Sequence, residues 1–153
     1  MAREVPDATL VLVGEGECRP AIEAQAAQVG IRERVRFTGT LPNSPLPQQL
    51  FDVCVLTSTN EGFPNSLVET SAASVALVST RVGGVPDVLV EGTTGIGVAI
   101  GNVAGTAHAL LTPLRDAPRR ERMGAAGRAL VRDRFSESAA VDRLLALYEQ
   151  VRR

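Results

Sequence analysis

The sequence predicts an α/β domain with a parallel sheet, and three observations carry that expectation. Short apolar runs of strand length alternate with stretches whose apolar residues recur at the helical period, the pattern of successive βα units. The runs at residues 8–13, 52–57 and 75–79 are apolar without interruption by polar side chains at every second place, as buried strands are. The length, 153 residues, fits one domain with a sizeable core.

Each element follows from its residues in turn. Residues 8–13 read as a buried strand closed by Gly14-Glu15-Gly16, and residues 20–29 as a helix with Ile22, Ala26 and Val29 on one face. Residues 34–37 alternate in and out as a short strand that Gly39 ends. Residues 42–49 hold three prolines and support at most a short helix. Another buried strand, 52–57, leads through the turn Asn60-Glu61-Gly62-Phe63 into a helix from Pro64 to about Ser74, where proline in the first turn loses nothing by lacking an N–H. A strand at 75–79 runs into Gly83-Gly84, Pro86 opens a short helix to Val90, and residues 94–100 supply a last strand. Helices are expected at 103–111, 118–134 and 137–151, the last with Ser136 as its N-cap and Ala140, Leu144, Leu147 and Val151 on one face. No internal repeat or low-complexity linker interrupts the chain, so residues 1–153 are expected to form a single domain. Residues 1–6 read as the polar tail of a helix begun earlier, so the chain looks like a piece of something longer.

Composition removes several classes of function. The net charge of −1 gives no reason to expect a nucleic-acid partner. All 16 basic residues are arginine, a bias that G- and C-rich codon usage explains, so Schiff-base and P-loop lysine chemistry are excluded within this polypeptide. A single histidine, His108, with two distant cysteines, Cys18 and Cys54, does not supply a zinc site of ordinary ligand count or a secreted disulfide scaffold. No apolar run approaches the ~18 residues of a membrane span, and no basic-then-apolar stretch precedes the first strand. A reducing cytoplasm is the expected compartment.

The segment from Ser58 to Glu69 carries the chemistry. It places Glu61 in a strand-to-helix turn and Glu69 eight residues later, inside the helix. The carboxyl edge of a parallel sheet is where α/β proteins bind ligands, and the N–H groups and positive dipole end of a helix suit a phosphate. Helical side chains lean toward the N-terminus, so Glu69 can reach back to the same ligand. A carboxylate accepts two hydrogen bonds and fits the vicinal hydroxyls of a ribose or hexose. The pair therefore suits a nucleotide sugar, although singly Glu61 is a common turn acid and Glu69 a common solvated helix residue.

In these residues the chain resembles the carboxy-terminal, donor-binding half of a group 1 glycosyltransferase of the two-domain GT-B fold. The matching stretches are Pro6-Asp-Ala-Thr-Leu-Val-Leu-Val-Gly-Glu-Gly16, Arg34-Val-Arg-Phe-Thr-Gly39, Glu61-Gly-Phe-Pro-Asn-Ser-Leu-Val-Glu69, Val82-Gly-Gly-Val-Pro-Asp87, Glu91-Gly-Thr-Thr-Gly95 and Arg134-Phe-Ser136. The resemblance implies a Rossmann-like, doubly wound parallel sheet with C-terminal helices. It also implies a nucleoside-diphosphate sugar as partner and a retaining transfer that needs no metal or other cofactor, in keeping with the absence of any D-x-D pair. By resemblance Glu61 contacts the donor sugar, as the catalytic-site carboxylate. The turn Gly62, Phe63, Pro64 and Asn65 lies against sugar and phosphate, Glu69 holds the ribose hydroxyls, and the base sits beside the strand at Val35, Arg36 and Phe37. The family's amino-terminal acceptor domain, its first donor-domain strand and helix, and its arginine–lysine pair for the diphosphate have no counterpart here. The isolated chain is accordingly expected to be inactive, with unpaired strand edges, and any membrane contact would belong to the absent half. Where the family commonly has Gly-Leu-Pro after the glutamate helix, this chain has Ser74-Val-Ala76.

Two other readings stand beside this one. The chain can be a stand-alone, non-catalytic module that binds a nucleotide sugar or a partner protein, or a relative of the sugar-nucleotide epimerases, which share the architecture without this form of the glutamate motif. Dinucleotide binding at Gly14-x-Gly16 is disfavoured, because Arg19 stands where a third glycine would allow close helix–strand packing.

Overall fold

Parallel strand pairing organises the chain in two places. The computed structural model describes residues 4–41 and 47–152, which fall into two compact units, one reaching to Ser44 and the other starting at Pro45. The polar tail expected at residues 1–6 and the proline-rich stretch 42–49 each lie partly outside the described residues, and the described end of the latter is a 3-10 turn, Pro47–Leu50.

In the first unit, β1 (Leu10–Val13) pairs in parallel with β2 (Val35–Gly39), Leu10 opposite Val35 and Leu12 opposite Phe37. Helix α1 (Arg19–Gln28) connects them and ends in a Schellman motif, with Gly30 at φ +74°, Gly30 N donating to Ala27 O and Ile31 N to Ala26 O. Here the expected burial fails. Leu10 is 39% and Val13 51% exposed, and of the predicted face of α1 only Ala26 is buried, Ile22 and Val29 being exposed. A two-stranded sheet with one ten-residue helix is too small to cover its own apolar residues.

The second unit holds β3 (Val53–Leu56), β4 (Ala76–Thr80) and β5 (Gly95–Val98), all parallel, in the order β3-β4-β5. Every residue of β4 is buried. Successive side chains of a strand leave by opposite faces. Leu77 accordingly packs with Leu67, Val85, Val88 and Leu89, while Val78 packs with Val98 and Ala109. Helices thus cover both faces of this sheet, α2 (Asn65–Ala72) on one side and α3 (Val103–Arg115) on the other, in agreement with the doubly wound class. β3, expected to be buried, is half-buried at every residue, and among the described residues it pairs with β4 alone.

The later elements depart in detail. The helix expected after Gly84 is a single 3-10 turn, Val85–Asp87. Helix α3 continues past Leu111 and through the buried Pro113, and Asp116 then caps α4 (Ala117–Phe135) by accepting from Arg119 N at 2.9 Å. Ser136 caps α5 (Glu137–Val151) as expected, accepting from Ala139 N. The apolar stripe of α5 is exposed throughout, Leu144 at 51% and Val151 at 76%. Between β4 and β5, Glu91 Oε2 accepts from Arg81 Nη2 at 2.7 Å and from Gly97 N at 2.9 Å. Partial burial raises the Glu91 pKa, but these two hydrogen bonds and the Arg81 charge together outweigh it and hold the carboxyl below its ordinary range.

Candidate functional site

The glutamate loop is held from below by the end of β4. Thr80 Oγ1 donates to Ser58 O at 2.6 Å, anchoring the chain as it leaves β3. The backbone of Glu61 and Gly62 then rests on Gly83 and Gly84. Gly84 N donates weakly to Glu61 O at 3.4 Å. A Cβ at Gly83 would stand 1.6 Å from Glu61 O, and one at Gly84 2.5 Å from Gly62 O. Backbone is thus packed on backbone, at a distance only glycine permits. Gly83 also has φ +46°, a left-handed conformation that L side chains adopt at a cost. In the sequence this glycine pair is legible only as part of the Val82–Asp87 match; its close packing on the loop is not.

Above that floor Glu61 is half-buried, Gly62 and Phe63 are exposed and Pro64 is buried. Phe63 packs against Phe135 with ring centroids 5.4 Å apart, so the end of α4 supports the turn. Helix α2 starts one residue later than expected: Pro64 occupies the N-cap position, no side chain caps the helix, and its first turn carries no acidic residue. Helix α1 likewise has no side-chain cap, whereas α3, α4 and α5 are each capped by a side-chain oxygen. Asn65 and Ser66, at the start of α2, are exposed, although Asn65 N–H is turned back onto Phe63 O at 3.0 Å. Leu67 N–H is likewise bonded, to Pro64 O at 2.9 Å, which leaves the exposed Ser66 N–H and the helix dipole to face an external anion.

Glu69 lies one turn further along α2, exposed, with Oε2 accepting from Gln48 Nε2 at 2.9 Å. Gln48 sits on a 3-10 turn, Pro47–Leu50, that leads into β3. The second unit thus gathers Glu61, Gly62, Phe63, Pro64, Asn65 and Glu69 around the start of one short helix. Arg36 and Phe37 belong to the first unit. There Arg36 Nη1 donates to Glu33 O at 2.8 Å, and the guanidinium carbons of Arg19 and Arg32 lie 5.1 and 5.7 Å from the centroid of the Phe37 ring. His108 is exposed on α3. Burial pushes the Cys54 thiol above its ordinary pKa, against a smaller opposing effect of its hydrogen bond with Thr70, so it stays protonated and serves as packing.

The family model for group 1 glycosyl transferases matches residues 1–116. The chain belongs to the group 1 glycosyltransferases. This glycosyltransferase chain is 32% identical to N-acetyl-alpha-D-glucosaminyl L-malate synthase of Bacillus anthracis, over 96% of its own length and 39% of the relative's. It is 34% identical to the lipopolysaccharide core glycosyltransferase LpsD of Rhizobium meliloti, over 97% of its length and 43% of that protein's. The chain therefore spans about two fifths of the length of these curated relatives. Among solved structures it superimposes on HepE of Anabaena in complex with UDP, with a TM-score of 0.88 at 21% identity, covering 95% of this chain and 42% of that one. The C-terminal domain of the group 1 glycosyltransferase LpcC of Francisella tularensis matches with a TM-score of 0.81 at 25% identity, over 89% of this chain and 74% of that domain. These superpositions agree with the GT-B, Rossmann-like fold expected from the sequence.

Proposed function

We propose that this chain is the donor-binding part of a glycosyltransferase and takes a nucleoside-diphosphate sugar. The observation that carries the reading is the uncapped start of α2 standing between two carboxylates, Glu61 before it and Glu69 within it, on a loop fixed from below by Gly83 and Gly84. In this reading the diphosphate meets the helix start and the exposed turn Gly62–Phe63, for which Pro64 has no N–H to offer. Glu61 accepts from hydroxyls of the donor sugar and Glu69 from the ribose diol. The base-side role of Arg36 and Phe37 comes from the family resemblance.

The chemistry follows from the charges. As the bond between the anomeric carbon and the phosphate oxygen breaks, negative charge builds on the leaving diphosphate, and the positive end of α2 stabilises it. The sugar becomes electron-poor at the same carbon and is taken by the oxygen of an acceptor hydroxyl with retention of configuration, the hydroxyl proton passing to the departing diphosphate, without a metal ion. The acceptor site and the remaining catalytic groups belong to another part of a longer enzyme, and the setting is cytoplasmic. UDP is the nucleotide bound by the HepE structure, and a GDP-mannose-dependent mannosyltransferase of Mycolicibacterium smegmatis is also a relative, so both nucleotides are test ligands.

Titration with UDP- and GDP-sugars, followed by ligand-observed NMR, tests the assignment. Weak binding is expected from the wild-type chain. Glu69→Ala should lower it by about 10–100-fold, the equivalent of hydrogen bonds to a charged acceptor. Tight binding that Glu69→Ala leaves unchanged would overturn the site.

A further inference from the structure

Glu69 stands exposed on α2, where a glutamate side chain is free to sample many rotamers, and ordering it on binding costs entropy. One contact reduces that freedom. Gln48 Nε2 donates to Glu69 Oε2 at 2.9 Å from a segment 21 residues earlier in the chain. The orientation of the amide is dictated by chemistry, since turning Oε1 toward the carboxylate would set two acceptors against each other. At its other end, Gln48 Oε1 is buried without a hydrogen-bond partner among the described residues, an arrangement that disfavours the folded state. An aliphatic side chain of similar length would avoid that cost, so glutamine at this position is not explained by stability.

We propose that Gln48 is a positioning residue for Glu69: its amide holds one carboxylate oxygen and leaves Oε1 set to accept from the ligand's vicinal hydroxyls. The proposal rests on the reading of Glu69 as the ribose-binding residue. It makes the preference for a ribose diol a joint property of helix α2 and the turn Pro47–Leu50 rather than of the glutamate alone.

The test compares the affinity of the chain for UDP with that for 2′,3′-dideoxy-UDP, and likewise for the GDP pair. The readout is the ratio of the two dissociation constants, which reports the diol contact and cancels changes felt elsewhere. Gln48→Leu and Gln48→Met should each lower the preference for the diol by about tenfold, as expected when the order of a long side chain is lost. Both should leave the dideoxy affinity and the melting temperature no lower than in the wild type. If Glu69→Ala abolishes the preference while both Gln48 variants keep it, the positioning role is overturned and the reading of Glu69 stands. If the Gln48 variants weaken both nucleotides equally, their effect is structural and the role is again overturned. If Glu69→Ala itself keeps the preference, the underlying reading falls and the proposal with it.

Discussion

Ser74 closes α2 in a conformation that glycine usually occupies. Its φ is +63°, Ser74 N donates to Ser71 O at 2.9 Å and Val75 N to Thr70 O at 3.2 Å. This is the same Schellman arrangement that Gly30 makes at the end of α1. A β-carbon in the left-handed region costs about 1–2 kcal/mol, part of which glycine would return through the greater entropy of the unfolded chain. Ser74→Gly is therefore expected to stabilise the chain by about 0.5–1 kcal/mol, read as a rise in the urea midpoint at constant m-value. The serine side chain is exposed, so no packing is lost. An unchanged or lower midpoint would show that the conformation is not strained here. The Ser74-Val-Ala76 departure from the family pattern is thus a local change in the same backbone turn, and the glutamate helix ends where Ser74 was expected to end it, within two residues.

At the scale of elements, the loop bearing Glu61 takes its shape from the end of a different strand. With φ +46° and a Cβ position 1.6 Å from Glu61 O, Gly83→Ala must displace the loop or unfold the unit. A loss of at least about 3 kcal/mol is expected, because a backbone–backbone clash has no flexible side chain to absorb it. Gly92→Ala is the control, since Gly92 has φ +69° but open space around its Cβ position, leaving only the conformational penalty. Chemical denaturation of both variants separates clash from strain, and similar losses in the two would refute the close packing. Helix α4 makes a comparable approach at Gly124, whose Cβ would lie 1.9 Å from Ser74 O. Periodicity could place α4 but not this contact. The helix reads as polar and arginine-rich, and its buried face depends on two glycines, Gly124 and Gly127, together with Met123 and Val131.

For the whole molecule, stability is expected to be uneven. β4 is buried at every residue and has a strand on each side, whereas β1 leaves Leu10 and Val13 exposed and among the described residues pairs with β2 alone. Native-state hydrogen exchange should therefore find the amides of β1 and β2 opening at least about a hundredfold more readily than those of β4. Equal protection of both sheets would mean that the two units unfold together.

Much of this protein was decided by local sequence. The βα alternation, the parallel class, the position of the helices and the Glu61-to-Glu69 spacing follow from residues close together in the chain, where period and capping act directly. The family resemblance drew on the same short motifs, and the comparison of residues 1–116 with the family model agrees with it. Burial was legible only in part: the uninterrupted apolar runs β1, β3 and β4 look alike as sequence, yet only β4 is enclosed. Which strand becomes central depends on how many partners it acquires, and pairing is a long-range property. The same holds for the bond from Gln48 to Glu69, 21 residues apart, and for that from Thr80 to Ser58, 22 apart. The identity of the two glutamates is written in one short segment, but the surroundings that orient them are assembled from segments brought together only by folding.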